Sequence, residues 1–116
     1  MATTISSVVI DCADPVALAA FYAKLTGAPV NQDDPTFVTL DTTPLPLAFQ
    51  RVDGYRGPGW PNAGKHVHLD FAVDDPEAAR QSLVEWGATV PEHQPGDGSW
   101  TVLVDPEGHP FCVMKG

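Results

Sequence analysis

The sequence predicts an α+β fold made of two βαβββ modules in tandem, and three observations carry that expectation. A strand running into a capped helix occurs twice, as "SVVIDCADPVALAA" over residues 7–20 and as "HVHLDFAVDDPEAA" over residues 66–79. The copies keep register, since Asp14 to Asp75 is a shift of 61, Gly27 to Gly87 of 60, and Asp41 to Asp105 and Pro46 to Pro110 both of 64. Between them lies "VDGYRGPGWPNAGK", rich in Gly and Pro as a linker is. A repeat of about sixty residues with one helix and several strands is too long and too mixed for a solenoid unit. The expected organisation is one domain with module one at 1–51, the linker at 52–65 and module two at 66–116.

In the first module "ISSVVIDC" is β-branched, as a strand is. Asp14 supplies an N-cap carboxylate, and Pro15 occupies the first helical position, where a missing N–H costs nothing. Leu18, Phe21, Tyr22 and Leu25 then form one apolar helical stripe, which Gly27 ends. "APVNQ" reads as a short strand, and "PTFVTLD" and "PLPLAFQRV" as two further strands. The second module repeats this: "HVHLDFAV" is the strand, Asp75 the cap, Pro76 the first helical residue, Ala79, Leu83 and Trp86 the stripe, and Gly87 the stop. "GATVPE" parallels the short strand, and "WTVLVD" and "PFCVMK" flank the turn "DPEG", with Pro second and Gly fourth.

At 116 residues the chain is long enough to bury a core without disulfide or metal staples. A formal charge of −9, from 6 Lys and Arg against 15 Asp and Glu, repels phosphate backbones and anionic lipid, which excludes nucleic acid and membrane surfaces as expected partners. The start "MATTISSVVID" has neither a basic end nor an apolar run, so a cytoplasmic protein is expected. Cys12 and Cys112 are too few for a disulfide framework and are expected as thiols in a reducing compartment.

The tandem units, with "D-P" opening each helix, "G-A" after it and "DPEGHPFCVM" at the end, resemble the vicinal oxygen chelate superfamily of glyoxalase I, bleomycin-resistance proteins and extradiol dioxygenases. The likeness covers nearly the whole chain and is nearest to small glyoxalase-like proteins. It implies a half-open, eight-stranded barrel around a cavity, and a homodimer. It also implies a divalent metal held by one ligand from the first and last strand of each module. Carried onto this chain, those positions are Ser7, Ala48, His68 and Cys112. Alanine has no donor atom and a serine hydroxyl is a weak ligand, so the usual site is degenerate and the expected cofactor is either none or a divalent metal held in another way.

Strand alternation reaches the cavity independently. Val67, Leu69, Phe71 and Val73 share the helix face, leaving His66, His68 and Asp70 on the other; in module one Val8, Ile10 and Cys12 face the helix, leaving Ser7, Val9 and Asp11. His66, His68 and Asp70, at every second position, are candidate ligands for one transition metal; equally, His68 and Asp70 form a polar pair that binds a ligand. Cys112 is either a small pocket wall or, beside His68, a reactive thiolate. Trp60 is either a stacking platform or a fastener for the Gly-rich linker. His93 and His109 are expected in solvent without chemistry. The expected cavity is lined by Ser7, Asp11, Gln50, Trp60, His68, Asp70, Cys112 and Met114 and takes a cationic or aromatic small molecule. The alternative is a metal-dependent lyase, isomerase or dioxygenase with a rearranged site around His68.

Overall fold

The computed structural model describes residues 4–116, so the first three residues of the expected module one lie outside the described residues. The elements run β1 (Val8–Cys12), α1 (Pro15–Thr26), β2 (Val30–Asn31), β3 (Phe37–Leu40), β4 (Leu47–Arg51), β5 (Leu69–Val73), α2 (Pro76–Glu85), β6 (Trp100–Val104) and β7 (Pro110–Lys115). Two compact units divide them, one ending at Arg56 and the other spanning Gly57–Gly116. This is the α+β class expected. No helix among the described residues is long and apolar enough to cross a membrane.

In the first unit a sheet of order β1-β4-β3-β2 pairs β1 with β4 in parallel, Val8 with Leu47 through Cys12 with Arg51. The Asp14 carboxylate accepts the Ala17 N–H at 3.2 Å, and Gly27 adopts a left-handed φ of 72° that lets its N–H reach the Ala23 carbonyl at 2.7 Å. Leu18, Phe21 and Tyr22 of α1 are buried, with the Tyr22 ring stacked on Phe49 at 5.7 Å. Cys12 is fully buried and is not in a disulfide, a small core side chain as its place in the alternation predicts.

The second unit is built the same way, with order β5-β7-β6 and β5 parallel to β7. Asp75 caps α2 by accepting the Ala78 N–H at 3.1 Å. The helix closes at Trp86, and Gly87 follows at φ 110°. Leu83 is the one α2 side chain that is fully buried, and Phe111 meets Phe71 edge-on at 5.9 Å. β7 lies between two strands, Pro110 through Val113 are all buried, and the segment reads as a continuous apolar run.

Three expectations about the strands are corrected. Strand pairing in β5 begins at Leu69, so His66, Val67 and His68 precede the ladder, and Val67, expected against the helix, is 76% exposed. Among the described residues there are seven strands, because "GATVPE" contributes a single bridge, Thr89 to Val104. The missing eighth strand is replaced by a side chain. The Gln94 amide accepts the Val102 N–H at 2.9 Å and donates to the Val102 carbonyl at 2.9 Å, satisfying the free edge of β6 as a neighbouring backbone would. Pro91, which has no N–H to give to a ladder, stands between the bridge and that amide.

The segment read as linker is also bound to the second unit. Gly57 N–H donates to the Glu107 carbonyl at 2.9 Å and Gly59 N–H to the Gly108 carbonyl at 2.6 Å, laying residues 57–59 along the β6–β7 turn. The approach requires glycine, since a Cβ on Gly57 would stand 2.4 Å from the Gly108 carbonyl carbon.

Candidate functional site

One face of the β5-β7-β6 sheet carries the site. Asp70 is the register partner of Cys112, which is in turn opposite Val102, and Met114 is opposite Trp100. Side chains on paired positions share a face, so these five come together from three strands. With His68, Pro110, Trp60 and Pro95 they line a cavity of about 300 Å³. Two indoles, two prolines, a valine and a methionine make its walls, and the polar groups gather at His68, Asp70 and Cys112.

Trp60 is carried to this cavity by the docked linker and is fastened there. Its indole N–H donates to the His93 carbonyl at 3.0 Å, its ring stacks with the His93 imidazole at 6.2 Å, and the Lys65 ammonium lies 5.0 Å over it. His93, expected without a partner, is therefore part of the pocket's support. Trp100 is held from behind by Gly96, where a Cβ would lie 2.2 Å from the indole Cη2 and where φ is +90°. Gly96→Ala is expected to displace the Trp100 ring, lowering its near-ultraviolet circular dichroism and destabilising the protein by roughly 1–3 kcal/mol. Unchanged spectrum and stability would show that the ring is not seated on that glycine.

In the polar corner His68 Nε2 lies 3.3 Å from Asp70 Oδ1, both side chains about half exposed. Ligating atoms of His68, Asp70 and Cys112 all lie within 4.8 Å of one another. His66 is exposed and outside this group. The Cys112 thiol is pushed up to about 11, first by burial, then by the negative charge of Asp70 and its acceptance of a hydrogen bond from the thiol. That favours the protonated thiol over a reactive thiolate.

Of the other residues expected in the cavity, Ser7, Asp11 and Gln50 belong to the first unit. Asp11 and Gln50 are register partners and exposed, and Ser7 is half-buried just ahead of β1. Ala48, at the position where the superfamily pattern implies a ligand, is 1% exposed and without a donor. Sequence reasoning missed Trp100 as a definite wall, together with Pro95, Val102 and Pro110. The alternation of "WTVLVD" could have placed Trp100 and Val102 on one face, but no local signal marks Pro95.

His109 also differs from expectation. Its side chain is 16% exposed, and Nδ1 meets Asp105 Oδ2 at 2.8 Å while the Asp105 carboxylate itself is fully buried. Asp105 Oδ1 accepts the N–H groups of Glu107 at 2.8 Å and His109 at 3.0 Å as well. The pair locks the turn on which residues 57–59 are laid.

The divalent metal that the superfamily implies can be weighed against these donors. Tetrahedral zinc with bonds of about 2.0–2.3 Å sets its ligand atoms roughly 3.3–3.7 Å apart. The His68–Asp70 separation of 3.3 Å already meets this, and a thiol within 4.8 Å needs a shift of about 1 Å to join them. Nitrogen, oxygen and sulfur donors together suit a borderline-soft ion. The residues fit such a group.

Two mixed sheets, each with its own capped helix, and a walled pocket with one polar corner define a protein of the glyoxalase and bleomycin-resistance architecture. The chain belongs to the glyoxalase-like domain family, whose pattern matches residues 7–114. Its fold is similar to that of a glyoxalase/bleomycin resistance protein/dioxygenase family enzyme from Burkholderia phytofirmans, with a TM-score of 0.77 and 24% identity over 97% of this chain and 98% of that one. It is also similar to the oxidase ChaP-H2, with a TM-score of 0.68 and 19% identity over 100% of this chain and 95% of that one. The CFP32 proteins of Mycobacterium tuberculosis and Mycobacterium bovis, which bear a glyoxylase name, are 37% identical over 67 residues, 55% of this chain. The matched region is 26% of the length of those relatives.

Proposed function

We propose that the protein binds a small planar aromatic molecule, preferably a cation, in the cavity of its second unit. One observation carries this reading: Trp60 and Trp100 wall a space of about 300 Å³ whose polar end holds the Asp70 carboxylate. That volume is at the small end of the range for ligand pockets, suited to one or two fused rings. Lys65 already places an ammonium over Trp60, the contact a cationic ligand would make, and the net charge of −9 draws cations toward the surface.

Titration with N-methylquinolinium, read by tryptophan fluorescence and thermal shift, tests the reading, with 2-naphthoate as an anion of similar shape. The cation is expected to quench and stabilise, and the anion to bind at least about tenfold more weakly. Trp60→Ala is expected to weaken the cation about tenfold. If neither probe binds, or the anion binds better, the proposal fails.

The donor cluster favours a second reading, a metal-dependent enzyme with a rearranged site. His68, Asp70 and Cys112 would hold the ion, which when bound would supply a Lewis acid to a molecule in the pocket. The other cavity residues would orient that molecule, with Trp60 and Trp100 flanking it and excluding water.

A further inference from the structure

We propose that His68, Asp70 and Cys112 form a three-donor site, complete within the second unit, that selects a thiophilic ion such as Zn²⁺ or Cd²⁺ over hard ions such as Mg²⁺ and Mn²⁺. This deepens the second reading above and rests on its donor cluster, not on the identity of the pocket's organic ligand.

The superfamily pattern asks for donors from both modules, and here the first module offers Ser7 and the donorless Ala48 at those positions. Asp70 stands at neither pattern position. It lies two residues after His68, which directly precedes β5, and opposite Cys112 on β7, so the ladder sets Asp70 and Cys112 on one face and the 3.3 Å contact with Asp70 brings His68 to them. The three ligating atoms are already gathered within 4.8 Å, with His68 and Asp70 at 3.3 Å. His68 and Asp70 are half exposed, so an ion can enter, and all three residues line the cavity, so a bound ion would face it.

Selectivity follows from the donor types. Hard ions of the Mg²⁺ kind prefer six oxygen donors and bind thiolate poorly, whereas Zn²⁺ and Cd²⁺ accept four-coordinate sites with sulfur and imidazole. With one carboxylate, one imidazole and one sulfur, the site has little to offer the first group.

The test is titration of chelator-treated, full-length protein with Cd²⁺, read by the ultraviolet sulfur-to-cadmium charge-transfer band, with Zn²⁺, Mn²⁺ and Mg²⁺ as competitors. One Cd²⁺ per chain is expected, displaced by Zn²⁺ but not by about a hundredfold excess of Mn²⁺ or Mg²⁺. Cys112→Ser should abolish the band, and Asp70→Asn should keep it while weakening affinity about tenfold or more. Cys12→Ala should bind as the parent does. His68→Ala, at a half-exposed side chain, should also weaken binding at least about tenfold and serves where the Cys112 variant does not fold. Absence of Cd²⁺ binding, a band that depends on Cys12, equal competition by Mn²⁺, or an Asp70→Asn variant that binds like the parent would each overturn the site. Quenching by N-methylquinolinium is scored on the same samples, so failure here and failure of the ligand reading are told apart.

Discussion

Asp105→Ala is expected to destabilise the second unit by roughly 3 kcal/mol, measured as the shift of its urea unfolding transition. The carboxylate has no exposed surface, accepts two backbone N–H groups and meets His109 Nδ1. Removing it strands three polar partners, each worth about 1–3 kcal/mol if left unpaired, and only the half-buried turn N–H groups can recover part of that from water. Asp105→Asn keeps an acceptor oxygen and should restore about half of the loss. The effect reaches the pocket as well. Residues 57–59 hydrogen-bond to the carbonyls of Glu107 and Gly108 on this turn, and they position Trp60. A loosened turn should therefore redshift Trp60 emission before global unfolding. A loss below about 1 kcal/mol, with emission unchanged, would remove the turn from the pocket's support.

The contrast between what the sequence disclosed and what it hid follows the range of the interactions. Both helices were legible because their caps are local: Asp14 and Asp75 each bond the N–H three residues on, with Pro next and Gly shortly after the end. The repeat and the α+β class came from the same short-range punctuation, together with the period-two alternation of β1 and β5. Alternation also set His68 and Asp70 on one face and Cys112 opposite, which is why the polar corner was legible residue by residue. It failed at Val67 and His66, which like His68 precede the ladder; of the three, His68 alone is held beside Asp70 by a 3.3 Å contact. The Gln94 amide that edges β6, the Asp105–His109 pair and the Gly96 seat of Trp100 were hidden for a different reason. Each depends on a turn bringing back a side chain at a distance that neither helical nor strand periodicity marks.

Chelator-treated protein is expected to alkylate at Cys112 at least about tenfold more slowly than a free-cysteine peptide near pH 8. Raising the thiol from 9.0 to about 11 cuts its thiolate about a hundredfold at that pH. The more basic thiolate is intrinsically more nucleophilic, which returns a factor of up to about ten. Burial adds steric delay, and Cys12, fully buried, contributes no competing signal. The iodoacetamide rate should keep climbing through pH 9 toward about 11. Burial is the largest cause and Asp70 the next, so Asp70→Asn should move the profile toward lower pH without returning it to that of a free thiol. The sign for stability follows. The folded chain holds this proton more tightly than the unfolded one, so the contribution is fully present below pH 9 and is lost as pH rises toward about 11. A fast, pH-independent reaction at neutral pH would mean that His68 stabilises a thiolate there, and Cys112 would then be a nucleophile rather than a protonated wall of the pocket.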